Sequence, residues 1–389
     1  MLFSGFLLAS STVGTAGPLV FDFRPGGNAA GHPAYDAGRG FGFESNAPTR
    51  FSVRVPEGNY RVTVHFDGSR RHSHARVLAE QRRLMLEDVA DKKLERSFVV
   101  NVRTADIGPL PANATGGTKV ALKPRELGSP TWDDKLTLEF AGDASLRSMS
   151  IVTVDLPTLY LAGDSTVTDQ GVAPSASWGQ MLPRFFAADI AVANHAESGE
   201  SLKSFVTELR FDKLLSTLKA GDWVMIQFGH NDQKIQSPQT YAEAATTYRS
   251  WLRTYIAEVR RRGATPILVT SPERRNFDAG HIVASLGDYP DAVRAVAKEE
   301  SVALIDLNLM SIRFYEALGT ESSPRAFADD GRDKTHHNEY GAYALARMVV
   351  EGLRTAAPQL TAGLVTHLAT DAGNFDPSHP PPPKPHPSS

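Results

Sequence analysis

The hydrophobic pattern of this chain changes period once, at Asp155-Leu156-Pro157, and that change limits the fold more than any other feature. Before it, apolar residues alternate: Phe51, Val53 and Val55 lead into Pro56-Glu57-Gly58-Asn59, and Tyr60, Val62, Val64 and Phe66 follow. Alternation puts every second side chain on the buried face of a strand, and the intervening turn makes the pair read as a hairpin. The pattern recurs at Phe98, Val100, Val102 and at Leu136, Leu138, Phe140, with Gly-rich and Pro-rich stretches between and little that would form a long helix. Residues 18–156 therefore read as an all-β, antiparallel sandwich domain. Arg82 to Leu86 fits a strand or a short helix equally well.

Beyond the boundary, short and nearly continuous apolar runs alternate with longer helical segments. Strands are expected at Thr158 to Ala162, Ile190 to Ala193, Trp223 to Phe228, Pro266 to Thr270 and Val302 to Leu307, each apolar on both faces as a doubly covered strand must be. Between Tyr241 and Arg262, Ala245, Tyr248, Leu252, Tyr255, Ile256 and Val259 recur at helical spacing and form one stripe. Residues 157–368 thus read as an α/β domain with a parallel sheet. Two ends stand apart. Residues 369–389 carry His379-Pro380-Pro381-Pro382-Pro383-Lys384, an extended and disordered tail. Residues 1–17 hold the apolar run Leu2 to Ala9 and small residues ending at Ala16, the pattern of a secretory signal without its basic start. A secreted or periplasmic protein is expected; a mildly apolar amino terminus is the alternative.

Composition excludes several chemistries. Lys plus Arg number 41 against 44 Asp plus Glu, a net charge of −3 that offers nucleic acid no attractive field. With no Cys, thiolate metal sites, cysteine nucleophiles and disulfides are ruled out. Membrane insertion is not expected, since no uninterrupted apolar run reaches about 18 residues. There is no His-Glu-x-x-His, and His72 with His74 reads as a solvated turn, so no metal and no cofactor is expected. Nothing in the sequence points to a protein partner.

In an open parallel sheet, ligands collect beyond the carboxyl ends of the strands, so the polar residues that follow each strand deserve comparison. Gly163-Asp164-Ser165-Thr166 follows the first strand and would expose a serine hydroxyl at the head of the next helix, where a Ser also serves as a plain cap. After the second strand, Gly199 offers an unshielded backbone N–H, or is an ordinary turn glycine. Gly229-His230-Asn231-Asp232 follows the third; Asn231 would donate to developing negative charge, while His230 and Asp232 read as loop braces. Asp333-Lys334-Thr335-His336-His337 precedes a helix near Asn338, and Asp333 would either orient an imidazole or, like Thr335, cap that helix. Their conjunction along one sheet edge argues against coincidence.

Gly163-Asp164-Ser165, Gly199, Gly229-His230-Asn231-Asp232 and Asp333-Lys334-Thr335-His336 resemble, in order and spacing, the four motif blocks of the SGNH (GDSL-like) hydrolases. Tyr160 to Asp169, Ser177-Trp178-Gly179-Gln180 and Asn338-Glu339-Tyr340-Gly341-Ala342 are similar to the rhamnogalacturonan acetylesterase branch, and the amino-terminal part resembles the galactose-binding-like sandwich of two-domain bacterial members. The resemblance implies a flavodoxin-like catalytic domain and a serine esterase acting on acetylated pectic polysaccharide. Ser165 would be the nucleophile, His336 the base and Asp333 its orienting acid, with Ser165, Gly199 and Asn231 forming the oxyanion hole. Because the base must be neutral, activity should rise with pH through about 6 to 7. Trp178 is a candidate sugar platform, and Arg274 and Arg275 are candidate partners for galacturonate, against the alternatives of a core anchor and surface charges on a mobile loop. The doubled His337 has no assigned role. Two rival readings remain open: an SGNH esterase or lipase for other acyl esters, such as acetylated xylan, and a non-catalytic carbohydrate-binding protein.

Overall fold

The computed structural model describes residues 17–68, 73–90, 92–108, 116–365 and 379; the signal-like leader, His72 and the rest of the proline tail lie outside the described residues. The first half consists of β1 (Leu19–Asp22), β2 (Phe41–Glu44), β3 (Ala47–Arg54), β4 (Gly58–Asp67), β5 (Ser73–Ala79), β6 (Arg83–Ala90), β7 (Lys93–Val102), β8 (Lys135–Gly142) and β9 (Ser145–Val154). These pair antiparallel in two sheets, ordered β1-β9-β4-β7 and β2-β3-β8-β5-β6. Alternate residues such as Phe51, Val62, Val77, Phe98, Leu138 and Ile151 meet in one core between the sheets.

The expected hairpin is corrected. β3 pairs with β2 and β8, whereas β4 pairs with β7 and β9, so the link at Val55-Pro56-Glu57 carries the chain from one sheet to the other. Both strands point alternate residues into the same core, so their alternation is the same whether they pair or face each other. The link is fastened by Val55 N–H to the Asp134 carbonyl at 2.9 Å and by the Tyr60 hydroxyl to the Pro56 carbonyl at 2.7 Å. Arg82 to Leu86 enters β6, which forms a true hairpin with β5 through Glu80 and Arg82 at φ 53° and 61°. His74 lies on β5 as an exposed strand residue, not in a turn.

In the second half β10 (Thr158–Gly163), β11 (Ala191–Asn194), β12 (Trp223–Gln227), β13 (Thr265–Val269) and β14 (Ala303–Ile305) form a parallel sheet ordered β11-β10-β12-β13-β14. Each expected strand is present, its ends displaced by at most two residues. The order is the flavodoxin-like one, reversing between β10 and β12. Along β10, Leu159 and Leu161 face one apolar cluster while Tyr160 and Ala162 face the other, which is why the run is continuously apolar. The helix Arg249–Arg261 buries Leu252, Tyr255, Ile256 and Val259 as expected. Ala245 departs from the stripe and is exposed, because the preceding turn Ala244–Tyr248 is a wider π-type turn that shifts the phase.

The two halves are packed together through side chains. Leu78 and Leu84 of the sandwich belong to the same apolar cluster as Val167, Trp178 and Met181. Across the contact Arg83 pairs with Asp169 at 2.5 Å, Arg210 with Glu126 at 2.6 Å and Lys213 with Glu57 at 2.7 Å.

Candidate active site

The strand order reverses between β10 and β12, and at such a reversal an open parallel sheet has its ligand crevice beyond the carboxyl ends of the strands. Ser165 follows β10 on a tight turn in which the Asp164 carbonyl accepts the N–H groups of Val167 and Thr168, each at 3.0 Å. The next helix begins only at Trp178, so Ser165 sits on this turn and not at a helix head. Asp164 pins the turn from below: one carboxylate oxygen accepts the Thr166 N–H and hydroxyl, both at 2.9 Å, and the other lies 3.2 Å from His230 Nδ1. Burial pushes the Asp164 carboxyl up, but the His230 ring and the Thr166 donors outweigh it and keep the group below its usual range. With its backbone so fixed, Ser165 is 8% exposed and its hydroxyl lies 2.9 Å from His336 Nε2.

The other ring nitrogen of His336, Nδ1, is 2.7 Å from Asp333 Oδ2, and Asp333 Oδ1 accepts the backbone N–H groups of Thr335 and His336 at 2.7 and 2.9 Å. Burial raises the Asp333 pKa, and these N–H donors together with the imidazole reverse the shift to a net lowering. An ionised Asp333 accepts hydrogen bonds only, so the ring proton belongs on Nδ1 and Nε2 faces Ser165 as an acceptor. The cap of the following helix, Glu339–Ala356, is Asn338, whose side chain accepts the Gly341 N–H at 3.1 Å. Asp333 is therefore free of that duty. His337 turns away from the crevice: it is buried, 2.7 Å from the Tyr315 hydroxyl and packed on Phe327. Burial, and then the neighbouring His336, push its pKa down to about 3.

The sequence offers three donors for an oxyanion: the N–H groups of Ser165 and Gly199 and the side chain of Asn231. Gly199 holds φ at 85°, a conformation that favours glycine, and neither its N–H nor that of Ser165 donates to a backbone carbonyl among the described residues. Asn231 is oriented by donating one amide hydrogen to the Glu200 carbonyl at 2.8 Å while its oxygen accepts from Lys234 at 2.7 Å, so neither contact uses its second amide hydrogen. Its neighbours are braces: His230 bonds Asp164, and Asp232 accepts the Leu202 N–H at 3.0 Å. Burial, with Asp164 nearby, pushes Asp232 up to about 8.

The candidate sugar contacts are placed differently. Trp178 is 1% exposed, donates its indole N–H to Gln227 at 2.8 Å and packs in the core, so it presents no ring face to a sugar. Arg274 bonds Ser285, and Arg275 donates to the Gly331 carbonyl and stacks over Phe327; both are part-buried braces of their loop and not mobile surface charges. Lys123 and Arg125, which reach the Ser198 carbonyl beside Gly199 from the sandwich half, were not legible in the sequence. They lie in an irregular stretch with no periodicity and no motif, 40 or more residues from Ser165. Among the described residues no group of three or more His, Asp and Glu is arranged to hold a metal ion, and no helix is long and apolar enough to cross a membrane.

Comparison with known proteins agrees with the geometry. Residues 161–344 match the GDSL-like lipase/acylhydrolase family. The chain is 40% identical over 229 residues to the rhamnogalacturonan acetylesterase RhgT of Bacillus subtilis, an alignment that covers 55% of this chain and 95% of RhgT. It is 29% identical over 320 residues to the uncharacterized esterase YxiM of the same species, across 81% of this chain and 76% of YxiM. The crystal structure of YxiM superposes with a TM-score of 0.51 at 25% identity and covers 89% of this chain and 100% of that one. On the strength of the RhgT match and the motif blocks it contains, the chain belongs to the rhamnogalacturonan acetylesterase family of the SGNH, GDSL-like hydrolases.

Proposed function

We propose that this protein is a serine acetylesterase that removes O-acetyl groups from a pectic polysaccharide of the rhamnogalacturonan type. The observation that carries this reading is the unbroken relay from Asp333 through His336 to the Ser165 hydroxyl, with contacts of 2.7 and 2.9 Å. Ser165 Oγ attacks the acetyl carbonyl carbon as its proton passes to His336 Nε2, and Asp333 stabilises the imidazolium. The carbonyl oxygen becomes an oxyanion that accepts from the N–H groups of Ser165 and Gly199 and the second amide hydrogen of Asn231. Collapse breaks the ester bond. The sugar oxygen leaves with the proton from His336, and Ser165 keeps the acetyl group. A water then gives a proton to His336 and attacks the acetyl-serine; the Ser165 Oγ–acyl bond breaks, His336 returns the proton to Oγ, and acetate leaves.

The choice of substrate is supported by the names of the relatives, since the same relay serves any acyl ester. The chain divides in this reading into a sandwich domain, 18–156, and a catalytic domain, 157–368. The apolar run Leu2 to Ala9 supports export to the periplasm or medium, which amino-terminal sequencing of the protein recovered there tests. The decisive assay is acetate release from acetylated rhamnogalacturonan, acetylated xylan and p-nitrophenyl acetate, with Ser165→Ala beside the wild type. Preference for the pectic polymer, abolished by the substitution, is expected. Turnover of p-nitrophenyl acetate alone would overturn the substrate, and release unaffected by Ser165→Ala would overturn the mechanism.

A further inference from the structure

The peptide unit joining Ser198 to Gly199 is gripped from the sandwich half. Lys123 Nζ donates to the Ser198 carbonyl oxygen at 2.8 Å, and Arg125 Nη2 donates to the same oxygen. That oxygen and the Gly199 N–H are opposite ends of one planar unit, and a trans peptide points them in opposite directions. Holding the carbonyl therefore aims the N–H. It also polarises the unit, because donors on the oxygen make the N–H a better donor in turn. Gly199, at a left-handed φ of 85°, is the third residue of a turn that the Glu200 N–H closes on the Glu197 carbonyl at 3.2 Å, and the cations hold the central peptide of that turn from outside it. The cations are close to it: a methyl group at Gly199 would lie 3.6 Å from Lys123 Nζ and 4.0 Å from Arg125 Nη2.

The two cations are themselves held. Arg125 Nε bonds Glu197 at 2.7 Å, and Lys123 pairs with the buried Glu200, whose second oxygen accepts the Ser204 hydroxyl at 2.6 Å. Between them Glu126 accepts the Lys123 N–H at 2.8 Å, the Trp132 indole N–H at 2.8 Å and Arg210 at 2.6 Å, which locks the short turn Pro124–Glu126 against the catalytic half. We propose that Lys123 and Arg125 are positioning residues of the oxyanion hole, through which the sandwich half orients and polarises the Ser198-Gly199 peptide toward the acetyl oxygen. The proposal rests on reading Gly199 as an oxyanion donor.

The test is steady-state kinetics on p-nitrophenyl acetate, whose small acyl group needs no contact with the sandwich. Arg125→Ala is the safe variant, because that side chain is 56% exposed. With Lys123→Met it should lower kcat about tenfold or more, short of the hundredfold or greater loss on deleting a donor outright. KM should hold, as should the melting temperature of Arg125→Ala, whereas Lys123→Met also takes a cation from the buried Glu200 and should melt lower; Arg125→Lys and Lys123→Arg should recover most of the rate. Wild-type kcat in the Arg125→Ala/Lys123→Met double variant, with Ser165→Ala inactive, overturns the proposal and leaves the esterase reading intact. Equal losses in the conservative variants, or a loss in Arg125→Ala that follows its melting temperature, overturn it in favour of plain bracing. If Lys123→Met does not fold, Arg125→Ala decides. An active Ser165→Ala overturns the esterase reading itself, and the proposal with it.

Discussion

His336 and His337 are neighbours in the chain with opposite electrostatic settings. His336 bridges an ionised Asp333 and the Ser165 hydroxyl, while His337 is sealed among Tyr315 and Phe327. The pKa of His337 falls to about 3, so in the folded protein it stays neutral where an unfolded chain, with an imidazole near 6.5, takes up a proton. The unfolded state binds more protons across that window, so the stability due to His337 is complete above about 6.5 and is lost as pH falls toward 3. The slope is about 1.4 kcal/mol per pH unit. His337→Gln keeps an acceptor for the Tyr315 hydroxyl without titrating, and urea unfolding at about pH 7.5 and about pH 4.5 should show a smaller loss than in wild type. Equal losses would mean that His337 is not kept neutral. On the proposed mechanism, Asn231→Ala removes one oxyanion donor and should lower kcat about a hundredfold or more with little change in melting temperature. Near-normal kcat would remove Asn231 from the mechanism. The triad was legible because Asp333 and His336 are local and motif-borne. His337 was not, because its partner Tyr315 comes from another helix and the sequence carries no sign of that packing.

At the scale of elements, the period of the apolar residues identified the strands, and packing decided their partners. β10 to β14 were recognisable because helices on both faces demand continuous apolar runs, whereas β3 and β4 alternate identically whether they pair or oppose. Nor did the pattern around Arg82 to Leu86 reveal that β6 abuts the catalytic turn. Arg83 on β6 pairs with Asp169 at 2.5 Å, with the side chains 2% and 3% exposed, and Asn194 donates to the other Asp169 oxygen at 2.8 Å. The same Asn194 amide donates to the Val167 carbonyl at 2.7 Å, so strand, loop and serine turn share one polar knot. Removing one member of a buried pair leaves a charge without its counter-ion. Arg83→Met should therefore cost about 3 kcal/mol, at the low end of the range for broken buried pairs because Arg103 still faces Asp169. Arg83→Met with Asp169→Asn, which deletes both charges, should be less destabilised than Arg83→Met alone. Chemical denaturation of the two variants checks the ordering, and the reverse order would show that the pair contributes by packing and not by charge.

For the molecule as a whole, the contact between the halves resembles an interior more than a joint. Leu78 and Leu84 enter the core of the catalytic half, and Arg210 and Lys213, both buried, find their counter-ions Glu126 and Glu57 on the sandwich side. Arg103 is sealed in the same contact, where burial and then the repulsion of Arg83 push its pKa down to about 9. Its guanidinium donates to the Asn194 carbonyl and stacks over Trp132. If the sandwich unfolded first, the catalytic half would retain Arg210 beside Glu200 and Glu208 but lose Glu126, and Lys213 would lose Glu57. The apolar pocket around Leu84 would open at the same time. Unfolding one half thus removes the counter-ions and packing of the other, and calorimetry on the full chain should record one cooperative transition. A fragment comprising residues 157–368 should melt at a lower temperature than the full chain. Any folded fraction should hydrolyse p-nitrophenyl acetate with a reduced kcat, because Ser198 loses both cations that aim the Gly199 N–H. Two resolved transitions, or a fragment as fast and as stable as the full chain, would show instead that the sandwich only covers a catalytic half complete in itself.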